Sequence, residues 1–329
     1  MSWWSSIFRS RAQDWTYGHL QASQVPSGAT PQPVAANAAY LTVRLASMRV
    51  VNVRQGLGKF YGAVHSLMSL AHRSGAPAEF SVLTTPDVLK KIDAKRLDRV
   101  VLVGKKLLGP VPYRGGDVNI EVGLFSIKEE ELAGPFLTVL ESLSNVAGVA
   151  LVKTALPFAK PLTEGIALLT GSTDATILEI GLAAALAPPS TGYLVVMRAP
   201  KGAVALGGLK LTSGDLRLVD AASGQPVRDY PYLVLEISAS DKRDEWFDIP
   251  DLKETYQELQ DAARKGKVED AKAAFSVFRR AALVCDDLLQ RDGERIVELV
   301  EGELKTALQT MLTAGGGDTG LRDLRQYAL

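Results

Sequence analysis

Three histidines and one cysteine are the scarcest reactive side chains in this chain: His19, His65, His72 and Cys285. A nucleophilic centre would need Cys285 or a serine within hydrogen-bond reach of a histidine that a carboxylate orients. No Gly-x-Ser-x-Gly elbow occurs in the sequence. On a helix His65 and His72 would share a face but stand two turns apart, roughly 10 Å, too far to hold one metal ion without a third element. A single cysteine excludes an intramolecular disulfide and a Cys-rich zinc site. Cys285 reads as a small buried thiol on an apolar helical face.

The densest polar cluster is SDKRDEWFDIPD, with Asp241, Asp244, Glu245, Asp248 and Asp251. Several carboxylates on one loop suit a hard cation such as Ca²⁺. The spacing is not that of an EF-hand, and Lys242 and Arg243 compete for the carboxylates. The reading is therefore a solvated junction with local ion pairs and a helix cap, Pro250, Asp251 and Glu254 having capping-box-like spacing. Arg114 beside Gly115 and Gly116 could cradle an anion, yet no phosphate-loop spacing is present. Glu121 and Glu179 lie in apolar strands and are expected to face water, because an unpaired buried carboxylate is costly. The chemistry-bearing residues thus point to no catalytic residue, no cofactor and no metal.

Aromatic side chains supply the interaction candidates. Trp3, Trp4, Phe8 and Trp15 fall in the first 20 residues, where Trp4, Phe8 and Trp15 at i, i+4 and i+11 define roughly one face of an amphipathic helix flanked by Arg9 and Arg11. Such an arm docks on protein or lies at a lipid headgroup boundary. Trp246 and Phe247 stand at a strand-to-helix junction. Phe275 and Phe278 lie with Ala271 and Ala282 on one helical face.

The bulk numbers limit the partners. Lys plus Arg equals Asp plus Glu at 37 each among 329 residues, which gives no electrostatic case for nucleic acid. The N-terminus lacks the apolar core of a secretory signal, and no uncharged apolar run reaches 18 residues. A cytoplasmic location is expected, with peripheral membrane attachment kept open.

The elements that must position these residues divide the chain into an amphipathic arm (1–20), a Pro/Ala-rich linker (21–39), a β domain (40–240) with a helical insertion (131–171), a helical domain (241–313) and a flexible tail (314–329). Alternating segments such as 41–45, 98–104, 117–127, 192–199 and 232–240 read as strands. The stretch 59–74 fits a helix or a strand, and periodicity alone does not separate the two. The segment GVALVKTALPFAKPLTEGIALLTG (148–171) is apolar all round, which suits core, a partner interface or a conditional membrane segment. The fold class expected is α+β: an antiparallel β-sandwich of about eight strands with an inserted apolar helical pair, plus a C-terminal helical hairpin or three-helix appendage.

The function expected is a non-enzymatic interaction protein that docks another protein, or a second copy of itself, through the appendage and the arm. The alternative is a membrane-acting effector working on an anionic bilayer through residues 1–20 and 134–171.

Overall fold

The computed structural model describes residues 15–51, 54–55, 58–72, 77–83, 101–128, 176–200, 202–265 and 267–314. The fold is α+β. Among the described residues, antiparallel sheets take up the chain as far as Ser240, and three α-helices follow. Two compact units form, one from Met1–Ala36, Leu41–Gly109 and Tyr113–Ala239, the other from Asn37–Tyr40, Pro110–Pro112 and Ser240–Leu329.

Among its described residues the first unit holds two five-stranded sheets and a two-stranded hairpin. The strands, in chain order, are β1 (Trp15–His19), β2 (Tyr40–Arg49), β3 (Arg54–Gln55), β4 (Gly58–Leu70), β5 (Ala78–Leu83), β6 (Val101–Pro112), β7 (Val118–Lys128), β8 (Thr176–Leu186), β9 (Gly192–Arg198), β10 (Leu209–Leu211), β11 (Leu218–Asp220) and β12 (Tyr232–Ser240). The first sheet runs β1-β9-β12-β2-β6. The second runs β3-β4-β7-β8, with β5 also beside β4. The strand count therefore exceeds the eight expected, because short pieces such as β1, β3, β10 and β11 carry too few residues to show a period.

The central strands of the first sheet are buried on both faces. In β12, Tyr232 and Val234 point one way and Leu233 and Leu235 the other, and all four are fully buried. The Tyr232 side has an identifiable cover. Leu20 and Val25, with Leu209, Leu211 and Leu218 of the β10–β11 hairpin, pack on Val195, Met197, Tyr232 and Val234. Polar anchors fix that cover. Tyr232 Oη accepts the Leu218 N–H at 3.1 Å, and Ser47 Oγ donates to the Leu216 carbonyl at 2.8 Å.

In the second sheet, β4 pairs with β7 over ten residues, and Val64, Met68 and Leu70 share a buried face with Ile120, Val122 and Leu124. The stretch 59–74 is thus a strand through Leu70. Its Phe60, Val64, Leu67 and Met68 spacing mimics a helix only because both faces of the strand carry apolar residues. Gly62 marks a place where the two sheets meet. A Cβ there would stand 2.9 Å from Val50 Cγ1 and 3.3 Å from Met48 Cε, so any larger residue would have to displace both side chains.

Two readings of the N-terminal segment are corrected. Trp15–His19 is not part of an amphipathic helix but an edge strand, paired antiparallel with β9 from Trp15↔Arg198 to His19↔Leu194. Residues 21–39 are not a free linker. Gln24 is buried, and its side-chain amide donates to the Leu206 and Leu209 carbonyls at 2.6 and 2.7 Å. Val34 N–H donates to the Pro189 carbonyl, and Thr191 N–H donates to that of Gln32. These partners lie more than 150 residues away, so nothing local in the Pro/Ala-rich composition announces them. The inserted helical pair (131–171), the segment 148–171 and the tail from 315 lie outside the described residues.

The second unit is built on α1 (Pro250–Arg264), α2 (Val268–Val284) and α3 (Gln290–Ala314). Pro250 occupies the first turn of α1, where a missing N–H costs nothing, and Asp251 complements the helix dipole. The capping box expected there does not form. Ile249 is the N-cap, and no side chain caps it. Leu252, Tyr256, Leu259 and Ala263 repeat at helical spacing on the packed face of α1. Gly293 lets α3 approach α2 closely, since a Cβ there would stand 3.0 Å from the Ala282 carbonyl oxygen.

Candidate functional site

The helical unit decides which aromatic residues are free to meet a partner. Trp246, just ahead of α1, lies edge-on to Tyr256 of α1 at a centroid distance of 5.4 Å and to Phe278 of α2 at 5.7 Å. Tyr256 and Phe278 close the triangle at 5.8 Å. All three rings are buried. Edge-to-face rings at such distances add attraction beyond burial, so this cluster is the centre of the unit's core. Trp246 and Phe278, expected as interaction anchors, hold the helices together instead. Phe247, 6.2 Å from Trp246, and Phe275 are half-buried at the margin.

The outward side of α2 carries what the aromatic reading missed. Phe278, Ala271 and Ala282 form the packed face. About 140° around the helix, Ala273, Val277 and Val284 fall within about 40° of one another. Val277 is 51% exposed and Val284 62% exposed. Ala274 and Ala281 flank them, half-buried. Leu283, on another side of the same helix, is 40% exposed. The helix thus has two apolar faces, and its own unit covers one. The sequence signal was two valines seven residues apart on the helix, off the packed face.

A buried polar hub fixes the start of α3. Asp292, buried, accepts hydrogen bonds at Oδ2 from Tyr40 Oη at 2.8 Å and from the Arg243 N–H at 2.9 Å, and at Oδ1 from Arg295 Nε at 2.6 Å. Tyr40 Oη in turn accepts the Leu289 N–H at 2.8 Å. Burial raises the Tyr40 phenol far above its ordinary value, so it stays a donor. Arg243, only 2% exposed, donates from its guanidinium to the Asp287 carbonyl at 3.3 Å. The polar loop is therefore partly internal rather than a solvated junction. Its arginine and the carboxylate of α3 tie this loop to the turn before α3 and to the first turn of α3.

The reactive residues are placed without a shared centre. Among the described residues, no three or more His, Cys, Asp or Glu are grouped to hold a metal ion. His65 lies in β4, which ends at Leu70 before His72, so the two histidines do not share a helical face. Cys285 caps the C-terminal end of α2, and burial pushes its thiol up to about 11, so it is not a thiolate near neutral pH.

The first unit contains a cleft of about 300 Å³ lined by Val51, Glu179, Arg198, Asp229, Tyr230 and two prolines among others. Glu179, expected to face water, is 3% exposed and accepts a hydrogen bond from Ser126 Oγ at 2.7 Å. It is taken inward at a β-bulge, where the β7–β8 register shifts beside Phe125. Glu121 is half-buried.

Trp3, Trp4 and Phe8 lie outside the described residues, as does the side chain of Trp15. No described helix is long and apolar enough to cross a membrane. No family model, curated protein or solved structure matches the chain.

Proposed function

We propose that this is a non-enzymatic interaction protein whose helical unit docks another protein through the outer face of α2. The observation that carries this reading is the pair Val277 and Val284, exposed on a helix whose opposite face is fully packed. A helix needs one apolar stripe to fold onto its neighbours. A second stripe of valine and alanine adds nothing to that packing, and it suits the close approach of a partner helix with aliphatic side chains. Ala274 and Ala281, half-buried beside the two valines, would extend the contact.

The test is a side-by-side affinity capture from the source cells with the wild-type chain and with Val277→Asp/Val284→Asp. Both positions are exposed, so the double variant keeps its helical circular dichroism. A partner retained by the wild type and lost by the variant supports the reading. The same set of proteins on both baits sinks it.

A further inference from the structure

The four lateral edges of the two sheets are not alike. In the first sheet, edge strand β6 contains Pro110, Lys105 and Lys106, with Gly104 and Gly109 at positive φ. Proline, lysine and local kinks are the devices by which sheets refuse further strands. The opposite edge, β1, is only five residues long. In the second sheet, the edge beside β4 is divided between two-residue β3 and six-residue β5, which carries Glu79. The remaining edge, β8, is eleven residues long.

β8 has none of these protections over Ile180–Leu186. Glu179 turns inward at the bulge. Beyond it the segment IGLAAAL pairs with β7 in unbroken register, from Ile180↔Leu124 to Leu186↔Val118. It contains no charge and no proline. Ala183 and Ala185 are exposed, and among the described residues the sheet order ends at β8. A regular, uncharged strand edge to which no described strand pairs is a template for one more strand.

We infer that β8 pairs antiparallel with β8 of a second copy of this chain, joining two five-stranded sheets across a two-fold axis at Ala183. The segment is self-complementary in that register. Ala183 meets Ala183, Leu182 meets Ala184, and Ile180 meets Leu186. The core-facing side becomes one apolar row across both copies. The other side carries only Gly181, Ala183 and Ala185, so nothing bulky or charged opposes its mate.

The test is analytical ultracentrifugation of the full chain from low-micromolar to near-millimolar concentration. The wild type is expected at twice the chain mass. Ala183→Lys/Ala185→Lys is expected at the monomer mass, and Val277→Asp/Val284→Asp should stay dimeric, which separates this surface from α2. A monomeric wild type overturns the proposal, and so does a lysine variant that remains dimeric. A second measurement does not depend on how the lysines are tolerated. In a Cys285→Ser background, Ala183→Cys should form an interchain disulfide under mild oxidation, because directly opposed residues bring their Cβ atoms within disulfide reach. Val277→Cys should not cross-link. Equal cross-linking at both positions, or none at Ala183, overturns it.

Discussion

Asp292 and His65 are buried polar groups with opposite consequences. Asp292 is a carboxylate with three donors around it, so losing one donor leaves the other two in place, whereas losing the carboxylate strands all three. Tyr40→Phe deletes the donor to Asp292 and the acceptor of the Leu289 N–H together, and it should cost about 1–3 kcal/mol. Asp292→Ala strips Arg243, Arg295 and Tyr40 at once and should cost about 3–5 kcal/mol. Urea denaturation followed by Trp246 fluorescence measures both, and equal losses for the two variants would refute the hub. His65 is buried across from Gly123, which in turn opposes Gly181 in the ladder, and burial lowers its imidazole to about 3. The unfolded chain therefore takes up this proton at a higher pH than the folded chain does. The stability contribution is complete above about pH 6.5 and is lost progressively as pH falls toward about 3, a change on the order of a few kcal/mol. His65→Gln should flatten that part of the pH profile, and an unchanged slope between pH 7 and pH 4 would exclude His65 as its source.

At the scale of elements, two glycines in α3 make opposite predictions. Gly293 faces the Ala282 carbonyl, so Gly293→Ala must push α2 and α3 apart and should lower the melting temperature despite alanine's higher helix propensity. Gly302 has open space where a Cβ would go, so Gly302→Ala should gain up to about 1 kcal/mol. Thermal melts of the two variants should move in opposite directions. The helices were legible in the sequence because each buries one stripe and Pro250 marks a start. β4 was not, because a strand covered on both faces loses the two-residue alternation that identifies strands. β1 and the 21–39 segment were illegible for another reason. What holds them is a ladder to β9 and the Gln24 amide bonds, both of long sequence range. Aromatic type alone does not distinguish a surface anchor from a core residue. Burial then sorted Trp246 and Phe278 into the core, while the α2 valines, less conspicuous by type, stay exposed.

For the whole molecule, the division into two units has a thermodynamic consequence. Each unit has its own core: the apolar layer under the β10–β11 hairpin in one, the Trp246–Tyr256–Phe278 cluster in the other. Tyr40 belongs to the helical unit although the rest of β2 from Leu41 belongs to the sheet unit, so perturbations a few residues apart in sequence should report on different cores. Trp246 fluorescence reads the helical unit, and amide hydrogen exchange along β9 and β12 reads the sheet unit. Tyr40→Phe should shift the denaturation midpoint read by Trp246 and leave the protection of β9 and β12 in place. His65→Gln at acidic pH should do the reverse, and the two effects should add in the double variant because the residues belong to different units. If both probes moved together in every variant, the chain would unfold as one cooperative body. The α2 surface would then be coupled to the β sheets, and a partner on α2 would change the denaturation of the sheet unit as strongly as that of its own.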